Sequence, residues 1–142
     1  MDKTRPQVGI GLFIVKGGKI LLGRRKASHG AGEFSLPGGH LEHMETIETS
    51  ILRELLEEAG PDIKLKNLRF LCATNLTKYA PKHYLDIGMA AEWESGEPIV
   101  GEPHKLESWA WYDMDDLPAP TFGCTENYIE AYKNGTTYFP NN

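Results

Sequence analysis

Residues 38–60 read GGHLEHMETIETSILRELLEEAG, and this stretch decides the fold. Thr46 suits a helix N-cap, because its hydroxyl can accept from an amide of the first turn, and Gly60-Pro61 supplies the stop. At 3.6 residues per turn, Ile51, Leu52, Leu55, Leu56 and Ala59 share one broad arc, with Glu54, Glu57 and Glu58 opposite them. Only Arg53, one turn before Glu57, offers an internal cation. Two carboxylates about 5 Å apart repel by roughly 1 kcal/mol in water and about 3 kcal/mol at an effective dielectric of 20. A solvated acidic face, the ordinary state of a Glu-rich helix, tolerates that repulsion; in a cleft it needs cations. Context favours the cleft: Gly38-Gly39 lets bare backbone approach a ligand, and a further acid, Glu45, precedes the helix. Hard oxygen donors of this kind suit Mg²⁺ or Mn²⁺, which take one or two carboxylates and complete their shell with phosphates and water.

Outward from the helix, elements alternate. QVGIGLFIV (7–15) and KILLGRR (19–25) flank the turn signal Gly17-Gly18 and predict a hairpin. ASHGAGEF (27–34) is a glycine-rich loop, and FSLPGG (34–39) a short strand that Pro37 and the paired glycines should end. Residues 68–77, 83–93 and 108–113 carry the apolar and aromatic content of further strands. Tyr128, Ile129 and Tyr132 recur at helical spacing before Gly135, a helix stop. This order predicts an α/β (α+β) domain spanning 1–142, with a mixed sheet between helices.

Charge excludes several function classes. A formal net charge of −5 and a pI near 5.5 argue against a nucleic acid polymer or an acidic membrane surface as partner. The N-terminus lacks an apolar targeting segment, and no run approaches the roughly 18 apolar residues of a membrane span. Cys72 and Cys124 form no CxxC pair and read as reduced thiols. A soluble cytoplasmic protein is expected.

Gly39, Glu45 and the run RELLEEAG (53–60), at these spacings, resemble the Nudix box. Pro61 departs from it, since the family has an aliphatic residue there; Ile63 is the nearest substitute. LLGRRKASHGAGEFSLPGGHLE (21–42) and ESWAWYDMDDLP (107–118) look like the MutT-type nucleoside triphosphate pyrophosphohydrolases, in which GGHLE is commonly followed by an aromatic residue and a glycine; here His43-Met44 stand instead. The resemblance implies a Nudix fold, an α/β/α sandwich. It implies that Glu54, Glu57, Glu58 and the Gly38 carbonyl hold Mg²⁺, with Mn²⁺ as substitute, and that Arg53 orients the glutamates through Glu45. Gly39 and Gly60 would be structural. The proton acceptor for the attacking water would be Glu54 or an acid of the loop GEPHKLE (101–107), Glu102 before Glu107; His104 stands where relatives often carry an acid.

The implied activity is hydrolysis of a nucleoside triphosphate, of an 8-oxo-dGTP-like or pyrimidine type, to the monophosphate and pyrophosphate. The alternatives are a dinucleoside polyphosphate, for which Tyr79 is a weak signal, ADP-ribose, an isoprenyl diphosphate, or a sensor that binds without cleaving. Members are often homodimers, and nothing in the chain locates an interface.

Substrate contacts are less specific. Of the pair ending the hairpin, Arg24 is the phosphate candidate, one of the two being solvated on an alternating strand. Phe34, Leu36 and Tyr84 suit a base pocket or plain core. Asn75 could bond a base edge or serve a turn. Trp109 and Trp111 share one side of their strand, Trp111 being the candidate to stack on a base. The histidines have no zinc spacing.

Overall fold

The computed structural model describes residues 4–141. Its described elements run β1 (Gln7–Lys16), β2 (Lys19–Arg25), β3 (Phe34–Ser35), β4 (Gly38–His40), α1 (Ile47–Ala59), β5 (Lys64–Leu76), β6 (Tyr84–Ser95), β7 (Leu106–Asp113), α2 (Thr125–Asn134) and β8 (Tyr138–Phe139). The strands join in one mixed sheet in which β1 runs parallel to β6 and antiparallel to β2 and β4.

The sheet forks at β1. Only Val15 and Lys16 pair with β2, which then leaves to pair along its length with β7. The edge of β1 thus freed is taken by β4, with Gly9 opposite His40 and Gly11 opposite Gly38. Here the structure departs from the expected strand 34–39. Pro37 does interrupt it, but Gly38 and Gly39 start a new strand on β1. Glycine is required at this crossing, since a Cβ on Gly38 would collide with the Ile10 carbonyl.

Strand alternation divides the core in two. Ile10, Leu12, Ile14 and Met89 face α1, meeting Ile51, Leu55 and Ala59; Phe13, Cys72 and Ala90 face α2, meeting Tyr128 and Ala131. The sheet lies between the helices, as expected. Among the described residues, no helix is long and apolar enough to cross a membrane.

Both helix ends behave as expected. Thr46 Oγ1 accepts from Thr49 N–H at 3.0 Å, while Gly60 and Gly135 close α1 and α2 at φ 86° and 78°. Pro61 is exposed, and Ile63, 6% exposed, packs with Ile51 and Leu55. The expected leucine arc needs correction. Leu52 and Leu56 are exposed, whereas Ser50 is buried and Glu54 and Glu58 are partly buried. The buried stripe is rotated toward the acids because α1 also packs over β4, whose bare glycines leave room for carboxylates.

Candidate active site

Arg53 organises the acidic flank of α1. Its Nε and Nη2 donate to the two carboxylate oxygens of Glu45 at 2.9 and 3.0 Å, a two-pronged bond that fixes the guanidinium plane. Nη1 donates to Glu54 Oε1 at 2.9 Å and reaches Glu57 Oε1 at 3.4 Å, while Glu42 lies 3.6 Å from Nη2. One cation therefore serves four carboxylates. Arg53 holds the Glu45 carboxyl down at about 2, and the same bonds raise the arginine further above its ordinary range.

Glu54 and Glu58 lie deeper. Burial raises both, that of Glu58 up to about 8, although its Oε1 accepts the Gly38 N–H at 2.9 Å. Gly39 is as necessary here as Gly38, because a Cβ would collide with the Glu54 carboxylate. The loop after β6 straps the C-terminal end of α1: Ile99 N–H donates to Ala59 O, and Gly101 N–H and Trp109 Nε1 both donate to Glu58 O. Glu102 on this strap adds negative charge that raises Glu54 and Glu58 further. Glu107 instead pairs with Arg24 on the surface, at 3.5 Å.

Among the described residues, no three acidic, histidine or cysteine side chains converge tightly enough to hold an ion by themselves. Glu58, partly buried beside Glu54 and Glu102, belongs to a set of hard oxygen donors whose crowding a divalent ion would relieve.

A cleft of about 230 Å³ opens where the sheet forks, lined by Gly38, Gly39 and Glu58 at one end. Leu36 and Tyr84, two of the expected substrate residues, also line it. Four others lie elsewhere. One of the two arginines is solvated, as expected, but it is Arg24, which turns to Glu107, while Arg25, beyond a register shift of β2 against β7, lines the cleft. Arg25 donates twice to His29 O and stands 3.9 Å from the centre of the Phe122 ring. Phe34 packs edge-on against Tyr112 in the core. Asn75 donates to Pro140 O and lies 2.6 Å from His83 Nε2. Trp111, opposite Leu21, belongs to the α1 side of the sheet with Trp93 and Lys16, as does Trp109.

The cleft also holds residues that no sequence signal assigned to a site: His29, Asp86, Phe122 and Tyr128, the last read only as part of a helix face. Tyr79 accepts from Gly123 N–H at 2.8 Å and stacks on Phe122. A second cavity of about 660 Å³ adjoins the first, sharing His29, Tyr79 and Tyr84 and adding Arg5 and Lys82.

Known proteins place this arrangement. A NAD-capped RNA hydrolase, NudC, from Salmonella typhi is 38% identical over 82% of this chain, which spans only 44% of that longer protein. An ADP-ribose pyrophosphatase from Methanocaldococcus jannaschii is 34% identical over 92% of the chain and 76% of its own length. A crystal structure of a MutT Nudix hydrolase from Burkholderia pseudomallei superimposes with a TM-score of 0.82 at 38% identity, covering 89% of this chain and 98% of that one. The two curated relatives differ in the substrates their names state, and neither names a nucleoside triphosphate, so the triphosphate subgroup is not singled out. The Nudix domain matches residues 3–132, taking in the acidic helix, the glycine strand and both cavities, and this chain belongs to the Nudix family of hydrolases.

Proposed function

We propose that the protein hydrolyses the phosphoanhydride of a nucleoside diphosphate joined to a second group, as in ADP-ribose, releasing the nucleoside monophosphate and the phosphorylated remainder. The observation that carries this is the pair of adjoining cavities sharing His29, Tyr79 and Tyr84, one for each half of such a substrate. The M. jannaschii relative supports it. Arg25, which lines the same cleft as Gly38 and Gly39 and stands over the Phe122 ring, would meet a phosphate. Glu54, Glu57, Glu58 and the Gly38 carbonyl would hold Mg²⁺, or Mn²⁺, which when bound neutralises phosphate charge and acidifies the attacking water. Arg53 keeps Glu54 and Glu57 in place, and Glu102, on the strap and close enough to act on Glu54 and Glu58, accepts the water's proton.

The similarity to the B. pseudomallei MutT protein favours a second reading, hydrolysis of a nucleoside triphosphate to the monophosphate and pyrophosphate. A panel of ADP-ribose, NAD, dinucleoside polyphosphates, an isoprenyl diphosphate and nucleoside triphosphates, with Mg²⁺ and each product quantified, separates the two. The first reading requires ADP-ribose or NAD to exceed every triphosphate in kcat/KM. Glu57→Gln should lower kcat by about 100-fold or more with the fold retained; full activity in that variant would remove the metal assignment.

A further inference from the structure

Asp86 is a carboxylate that neither the metal-side chemistry nor the core needs. It sits on β6 opposite Gly9 of β1, bonded to Tyr128 of α2, and lines the cleft. One of its oxygens is committed to the protein. Oδ2 accepts from Tyr128 Oη at 2.5 Å and from Cys124 Sγ at 3.3 Å. The other, Oδ1, has no hydrogen-bond donor among the described residues and lies beside Gly9, where an added Cβ would sit 3.4 Å away. No lysine, arginine or histidine pairs with Asp86 among the described residues.

The surroundings are built for this arrangement. Tyr128 reaches Asp86 only because β1 and β6 carry glycines where its ring passes: a Cβ on Gly11 or Gly88 would collide with it. The tyrosine is fully enclosed, so its hydroxyl cannot turn away to water. The carboxyl is thus held at one oxygen, and the other is left free at the wall of the cleft, where a ligand's donor can meet it. The wall beside it is aromatic and the strand beneath it bare glycine, space for a flat ring. Desolvation raises the Asp86 carboxyl above its ordinary range, while the bonds from Tyr128 and Cys124 act to lower it.

We propose that Asp86 Oδ1 reads the nucleobase by accepting a hydrogen bond from its exocyclic amino group, selecting amino-bearing bases over their oxo counterparts. An oxo group at the same place would set its lone pairs against the carboxylate. The inference rests on the proposed nucleotide substrate and adds its base. Tyr128 acts as a positioning residue, holding the carboxyl so that Oδ1 points at the ring.

The test is calorimetric binding of matched monophosphates, AMP against IMP and CMP against UMP, to the wild-type protein, Asp86→Asn and Tyr128→Phe, with turnover of the full substrate panel measured alongside. Wild type should bind the amino member of a pair about tenfold or more tightly, the scale of one hydrogen bond to a charged group. Asp86→Asn, isosteric and offering a donor as well as an acceptor, should bring the ratio close to one, and Tyr128→Phe should lower it while conserving the packed ring. Equal affinities in wild type, or a ratio unchanged in a folded Asp86→Asn or Tyr128→Phe, overturn the base assignment while leaving a nucleotide-cleaving protein intact. Failure to bind or cleave any nucleotide overturns the proposed function and the base assignment together.

Discussion

Met44 holds a left-handed backbone, φ 65°, with its side chain 87% exposed, at the position where the resembling sequences carry glycine. A left-handed L-residue costs about 1–2 kcal/mol, part of which glycine returns through its freer unfolded chain. Met44→Gly should therefore raise the melting temperature by a few degrees in a thermal melt and leave turnover unchanged. Glu58 makes a prediction of opposite kind. Its carboxyl titrates near 8 in the fold against an ordinary 4.5, so the folded state binds more protons between those values. Its contribution to stability is complete below pH 4.5 and is lost as pH rises through 8. Without metal, Glu58→Gln should melt below or level with the parent in acid and progressively above it toward pH 8, with Mg²⁺ closing the gap. A pH-independent difference would show that Glu58 does not carry this burial. The spacing of residues 39–60 made these acids legible as a set; which of them were buried was not, because that depends on β4 passing beneath α1.

Helix α1 and strand β4 act as one element at the site. Glu54 packs against Gly39 with no space for a methyl group, and Gly38 offers its N–H to Glu58. Gly39→Ala should displace the Glu54 carboxylate and reduce kcat by about 100-fold or more, with the far-ultraviolet circular dichroism unchanged, because strand backbone accepts alanine freely. Undiminished activity would mean that Glu54 does not work from this position. The strap from residue 96 to 105 belongs to the same element, since its amides cap the last carbonyls of α1. The cap residues Thr46, Gly60 and Gly135 could be read from local chemistry. The rotation of the helix could not: 3.6-residue periodicity groups Leu52 with Ile51, and only the neighbouring strand decides which of the two is covered.

Across the whole molecule, the fork in the sheet brings distant segments to one cleft: Arg25 from β2, Gly38 from β4, Glu58 from α1, Asp86 from β6 and Tyr128 from α2. A ligand that bridges these segments in the fold and finds no such site in the unfolded chain stabilises by mass action. At about 100 times its dissociation constant the gain is about 2.7 kcal/mol. Mg²⁺ with AMP should raise the melting temperature together by more than the sum of each alone, checked by differential scanning fluorimetry with and without EDTA; strictly additive shifts would argue against a shared metal–phosphate site. The sequence by itself determined the acidic helix, its caps, the hairpin, the alternation of layers and the hydrolase family, because each is written in residues a few positions apart. Only the tertiary structure decided that Arg25 rather than Arg24 enters the cleft, that Phe34, Asn75 and Trp111 stay out of it, and that Asp86 and Tyr128 meet there. Those outcomes turn on pairings between distant segments, among them β2 with β7, β5 with β6 and the parallel run of β1 beside β6, whose partners no local pattern can name.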